Sequence, residues 1–342
     1  MCAGCLALLA ACGDLADESP SGGAAKGEAL RPLEYGDWWS NPAIAEIRTD
    51  FSTAEDFGVG TGFFIAPHVL VTARHVLDLD QQMRVRIDAT RIGIDDDRGH
   101  RQLDIDYVWL PYDELGYRQG PDLAIVVTVQ PADLPRYVSL AGPADVVSEG
   151  ETLVAMSYGT TLKSWRWQKR AALFDVERVD VGGVIDTHQR QGDTLGDGNS
   201  GGFLGRILGE ELSFSRQLRR QRENDSYHSD GPQLQAFGVF SLTDRNRVGG
   251  GYTTRYVDIR LHRARLECLV ALIAQRGRQA CALDEQASDL TSGPALYDEL
   301  REALAQMRRA RSATGEQAIV LGALRRYALN DPNIHDIGPP PR

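Results

Sequence analysis

Between residues 34 and 259 the chain is broken into short apolar or alternating runs, at 62–66, 69–72, 83–87, 123–129, 152–156, 171–179 and 236–242. Clusters of Gly, Pro, Asp and Asn separate them. Runs this short, with turn chemistry at either end, are strands rather than helices, and helical periodicity is scarce across the region. Many such strands in succession fold as a β-sandwich or a barrel. Hydrophobic residues make up 42% of the 342 and charged residues 25%, enough apolar side chain to fill that core. The pattern predicts an all-β domain over 34–276.

The flanks read differently. Residues 1–12 are apolar and small, the length of a signal-peptide core and too short to span a bilayer. They end in Leu9-Ala10-Ala11-Cys12, which is similar to a bacterial lipobox. That similarity implies lipidation at Cys12, loss of the preceding residues, and a lipoprotein of the cell envelope or a secreted protein. An unprocessed apolar N-terminus is the alternative. Residues 13–33 hold mostly Gly, Ala, Ser and Glu and read as a flexible tether. After Tyr256 the period turns helical over 257–275, with Ile259, Leu261, Leu266, Leu269, Val270 and Ile273 on the apolar side and Gly277 as the stop. Two further helical runs, 295–311 and 316–329, make 277–342 a helical tail with a loose end. The polar stretch 216–230 is a solvated surface insertion, with a lid or self-cleavage site as its functional alternative.

Five cysteines fall into an N-terminal group, Cys2, Cys5 and Cys12, and a C-terminal pair, Cys268 and Cys281. If Cys12 is lipidated and the others before it are removed, that pair can form a disulfide in an oxidising compartment, worth about 3 kcal/mol by loop entropy. Two buried thiols are the equal alternative. The net charge of −11 is spread along the chain, which argues against a nucleic-acid partner because phosphate binding needs a basic face. The histidines and cysteines show no metal-ligand spacing, so neither a metal nor a cofactor is expected.

Three local patterns carry chemistry. Residues 60–75 (GTGFFIAPHVLVTARH) form two strands and a turn leading into His75. Residues 120–127 (GPDLAIVV) place Asp122 at the mouth of a wholly apolar strand. Residues 195–202 (LGDGNSGG) embed Ser200 in glycines. Acyl transfer needs these parts. A serine hydroxyl is a weak nucleophile and requires an imidazole to take its proton. The imidazole needs a carboxylate to fix its tautomer. Two backbone N–H groups must face the developing oxyanion, which calls for an unusual turn that glycine permits. Each pattern alone is commonplace, but their joint occurrence on a β-rich background is not.

These segments resemble those of the trypsin-like serine peptidases. The resemblance covers about 38–275 and implies two six-stranded antiparallel β-barrels of the chymotrypsin type. By match, His75 is the general base, Asp122 the orienting acid and Ser200 the nucleophile, with the amides of Gly198 and Ser200 as the oxyanion hole. Asp104 and Asp106 are rival acids, but neither opens an apolar run. Asn199 stands where trypsin-like zymogens carry the Asp that pairs with a freed N-terminus, so activation by N-terminal insertion is not expected. A Gly-Asn-Ser-Gly-Gly motif is similar to bacterial branches of the family. Thr194, Ser241, Thr243 and Gly251 align with the substrate pocket. With Thr194 at its base and Phe240 in place of a histidine that marks glutamate specificity, a neutral preference is implied. The expected function is a serine endopeptidase acting on protein or peptide substrates. A non-catalytic lipoprotein, using the same fold as a binding or scaffold module, is the rival.

Overall fold

Strands whose every side chain is buried set the centre of the first half. In β4 (Val69–Thr72) and β7 (Ala124–Thr128) all positions are buried. Such strands need cover on both faces: closure into a barrel covers the inward one, and buried residues outside the strands, Ala132, Leu134, Val138, Leu266 and Leu269 among them, join the same apolar cluster. In the computed structural model the described residues are 30–32, 41–50, 57–77, 90–96, 99–109, 121–161, 164–189, 198–208, 233–244 and 252–274, with 298, 301, 302 and 305 beyond them. The first barrel adds β2 (Ile44–Asp50), β3 (Phe57–Ala66), β5 (Thr90–Asp96) and β6 (Gly99–Trp109) to these two. Its order is β2-β3-β4-β7-β6-β5, closed by antiparallel pairing of β2 with β5.

The second half repeats the architecture. Here β9 (Thr152–Thr161), β10 (Ser164–Asp180), β11 (Val184–Gln189), β14 (Thr253–Asp258), β13 (Gln233–Asp244) and β12 (Phe203–Leu208) follow one another around a ring. Pairing of β12 with β9 closes it. The expected all-β fold with two six-stranded antiparallel barrels is therefore what the chain adopts. Two short strands lie off the ring: β1 (Leu30–Pro32) on β10 and β8 (Ser139–Leu140), parallel, on β13.

Boundaries shift from the sequence expectation in two places. The tether expected to run through residue 33 gives way at Leu30–Pro32 to a strand on β10. Pro32 is tolerated there because β1 is an outer strand. The helix expected from Val257 begins later, because Val257 still pairs with Val184 and Val239. Asp258 then caps a 3₁₀ turn at Ile259–His262 by accepting from the Arg260 amide, and α1 (Arg263–Ile273) follows. Inside α1, Leu266, Cys268, Leu269 and Ala271 are buried. Cys268 is disulfide-bonded, while Cys281 lies outside the described residues. So do the run at 83–87, the stretch 216–230 and the run at 316–329, and of 295–311 only 298, 301, 302 and 305 are described, all helical.

The barrels meet along a seam that is apolar at one point and ionic at another. Phe63 of β3 and Phe203 of β12 are fully buried and meet edge to face, with ring centroids 5.9 Å apart. Elsewhere Lys169 of β10 is buried, donates to the Asn41 carbonyl at 3.1 Å, and lies 5.1 Å from the centre of the Tyr158 ring. The Tyr158 hydroxyl donates to Asp95 of β5, which also bonds His100 Nδ1 at 2.9 Å. Burial pulls the Lys169 amine down to about 8, against a smaller opposing pull from Asp95 and Asp96. Burial, reinforced by Asp95, drives the Tyr158 phenol well up.

The Lys169 value fixes the sign of a pH effect. Its folded pKa, about 8, lies below the ordinary 10.5, so between these the unfolded chain binds more protons. The contribution of Lys169 to stability therefore rises with pH through that window, and below it the buried ammonium costs about 3 kcal/mol. Urea unfolding of the wild type and Lys169→Met checks this. From pH 7.5 to pH 10 their difference in unfolding free energy should move by about 2 kcal/mol in favour of the wild type. A difference that does not change with pH would sink the assignment.

Candidate active site

The register of β4 against β7 assembles the first pair of side chains. Thr72 stands opposite Ala124. The ladder ends there, and Asp122, two residues before Ala124, meets His75, three residues after Thr72. The chain turns sharply at Pro121, whose carbonyl accepts from Leu123 N at 2.8 Å, while a 3₁₀ turn at Arg74–Leu77 lifts His75 off the end of β4. The β3 strand backs this turn closely. A Cβ on Gly60 would sit 2.1 Å from the Val76 side chain, so glycine is what lets them touch.

Asp122 holds the imidazole by two bonds. Oδ2 accepts from His75 Nδ1 at 2.7 Å and Oδ1 accepts from the His75 amide at 3.1 Å. Burial alone would raise the Asp122 carboxyl, but the bonds from His75 and Ser241 outweigh it and hold the pKa below 3.8. Asp122 is therefore ionised at neutral pH and can only accept, which places the proton on Nδ1 and leaves Nε2 as a base. The His75 side chain is 48% exposed and that of Asp122 20%. A partly buried carboxylate thus orients a ring that is open to solvent.

Ser200 arrives from the second barrel on a loop bonded into the first. Its carbonyl accepts from Thr61 N of β3 at 2.8 Å. Gly198 and Gly201 have φ of +84° and +81°, values that favour glycine. A Cβ on Gly201 would lie 2.0 Å from the Thr61 carbonyl oxygen and 3.0 Å from Ala73 N, two residues before His75. Gly201 N donates to Phe240 O and Gly202 N to Asn199 O. Among the described residues the amides of Gly198 and Ser200 have no acceptor, which is the state an oxyanion hole requires. Among the same residues Ser200 Oγ makes no hydrogen bond, to His75 or otherwise. Such catalytic bonds are often long without substrate and tighten when it binds.

Asn199 is fully buried and its Oδ1 accepts from Ser157 Oγ at 2.6 Å. A strand of the second barrel thus holds the loop at the position where an N-terminal ion pair was not expected. The rival acids lie elsewhere. Asp104 faces Arg91 at 3.3 Å and Gln130 on the outer side of β6, and Asp106 sits on the same strand.

The residues aligned with a substrate pocket separate. Ser241 Oγ donates to Asp122 Oδ2 at 2.7 Å, so it supports the carboxylate. The pairing of β13 with β14 shifts register between Phe240 and Leu242, and an irregularity of that kind re-aims a side chain. Phe240 turns the other way, into the second barrel against Tyr256, at 5.6 Å between ring centroids. Thr243 Oγ1 is buried and has no hydrogen-bond partner among the described residues. Thr194, Gly251 and Cys12 lie outside the described residues. Sequence reasoning missed the bond from Ser241 to Asp122. Nothing in a lone serine between Phe240 and Leu242 announces it. Among the described residues no group of three His, Cys, Asp or Glu side chains is placed to hold a metal.

Two closed antiparallel barrels, with His75 and Asp122 on one and Ser200 on the other, define a chymotrypsin-type protein. The family model for trypsin matches residues 46–204, and the chain carries a trypsin-like domain of that fold. One similar solved structure is the scabies mite inactivated protease paralogue S-I1. It is 15% identical and covers 68% of this chain and 94% of that one, with a TM-score of 0.46. A search of curated proteins found no match.

Two glycines with the same backbone strain separate the effect of close approach from that of conformation. Gly150 also has a positive φ, +80°, but a Cβ there meets nothing within 4 Å. Gly150→Ala should cost about 1–2 kcal/mol, the conformational penalty alone. Gly201→Ala should cost about 3 kcal/mol or more, because the Ser200 loop must leave β3. Equal unfolding midpoints for the two variants would contradict the docking described for Gly201.

Proposed function

We propose that the chain is a serine endopeptidase that cleaves peptide bonds through an acyl-enzyme. The observation that carries this reading is the grip of the ionised Asp122 on His75 Nδ1, which turns Nε2 toward solvent as a base. In the proposed reaction Ser200 Oγ attacks the scissile carbonyl carbon and His75 Nε2 takes its proton. The Gly198 and Ser200 amides hold the oxyanion as the C–N bond breaks. His75 then protonates the departing amine, and water, deprotonated by the same nitrogen, releases the acyl group. Asp122 stays ionised throughout and stabilises the imidazolium.

The finer parts of the reading rest on sequence. Asn199 favours a bacterial branch of the family. Thr194 at the pocket base favours cleavage after a neutral, apolar or small residue. The Leu9-Ala10-Ala11-Cys12 tetrad favours a lipid anchor at Cys12 and a place in the cell envelope.

A fluorophosphonate probe tests the chemistry directly. The Ser200 oxygen bonds phosphorus, fluoride leaves, and the serine proton passes to His75. Mass spectrometry should find the adduct on Ser200 and none in Ser200→Ala. A folded sample that does not label would favour a binding or scaffold role instead. Asp122→Asn should keep the fold yet lower peptide hydrolysis by about 10⁴-fold, because the amide favours the wrong imidazole tautomer. Activity within tenfold of the wild type would rule out the role given to Asp122.

A further inference from the structure

Thr61 is fully buried on β3, and each of its polar atoms is used. Its amide donates to the Ser200 carbonyl at 2.8 Å. Its carbonyl accepts from Thr72 Oγ1 at 2.6 Å. Its hydroxyl accepts from Tyr158 N at 2.8 Å and has one hydrogen for two carbonyls, Gly198 O at 2.9 Å and Tyr158 O at 3.0 Å. A single residue of the first barrel thus bonds the carbonyls on both sides of Asn199, Ser200 O through its amide and Gly198 O through its hydroxyl.

Those carbonyls belong to the segment that presents the oxyanion amides. Gly198 has no Cβ and sits at φ +84°, so its flanking peptides rotate more freely than those of any other residue type. A rotation at Gly198 would turn its N–H away from the substrate oxygen. Fixing the Gly198 carbonyl pins the peptide on its C-terminal side, so the N–H on the other side can turn only through the remaining torsion at Gly198, and a buried hydroxyl does this where no water competes. The Ser157 hydroxyl holds the intervening Asn199 side chain from β9, so both barrels restrain the loop.

We propose that Thr61 is a positioning residue for the oxyanion loop, its hydroxyl locking the Gly198 carbonyl so that the Gly198 amide faces the reacting oxygen. This rests on the peptidase reading above. It predicts that loss of the hydroxyl slows the chemical step and leaves binding of the reagent unchanged. Valine is nearly isosteric with threonine and lacks the hydroxyl, serine keeps it, and cysteine replaces it with a weaker donor.

The test measures phosphonylation of Ser200 by a fluorophosphonate over a range of reagent concentrations, which separates the maximal rate from half-saturation. Thermal unfolding is followed on the same samples. Folded Thr61→Val should lose 10- to 100-fold in maximal rate with half-saturation within threefold of the wild type. Thr61→Ser should stay within threefold of the wild type in both. A folded valine variant with the wild-type rate, or a serine variant as slow as the valine one, overturns the proposal. If the valine variant does not fold, Thr61→Cys decides: a fivefold or greater loss of maximal rate supports the lock, and the wild-type rate overturns it. A wild type that does not label overturns the peptidase reading and this proposal with it. A labelled wild type matched by its variants overturns this proposal alone.

Discussion

The Asp122 carboxylate accepts hydrogen bonds from both barrels: twice from His75 on the first and once from Ser241 on the second. Everything else at the site is arranged around that charge. An ionised group in a mostly buried position persists only if its oxygens are satisfied, and here three donors satisfy them. The same bonds that keep it charged choose the tautomer of His75. Stability of the carboxylate and orientation of the base are one set of contacts.

The seam on either side repeats this economy with different chemistry. Where Phe63 meets Phe203, apolar packing brings the strand that follows Ser200 against the strand that backs His75. Where Lys169 meets Tyr158, Asn41 and Asp95, a polar cluster joins the barrels. Such clusters add little net stability but tolerate few alternative alignments, because a slip leaves a buried charge unpaired. The apolar contact favours association and the ionic one restricts it to one register.

The architecture was legible in the sequence because strands buried on both faces read as nearly continuous apolar runs, and 69–72 and 123–129 are such runs. The candidate residues His75, Asp122 and Ser200 stood out in the sequence for a related reason. Each stands at a strand end or in a glycine frame whose conformation few other sequences satisfy. Elements with mixed patterns were harder to read. Both β5 and β11 carry Asp and Arg or His among their apolar residues, because they face the seam or ion pairs such as Arg178 with Asp186. Helix α1 starts later than its periodicity suggests, because pairing of Val257 across two strands outweighs local propensity. The attachment of Ser241 to Asp122 spans 119 residues of chain and depends on a register shift, which no local pattern encodes.

Division of the site between the barrels has a consequence in time. A chain leaving the ribosome completes its first barrel, with His75 and Asp122, well before Ser200 and Ser241 emerge. Neither half contains a nucleophile beside a base. On the proposed reading, the reactive arrangement needs both barrels, and a chain that lacks the second lacks its nucleophile.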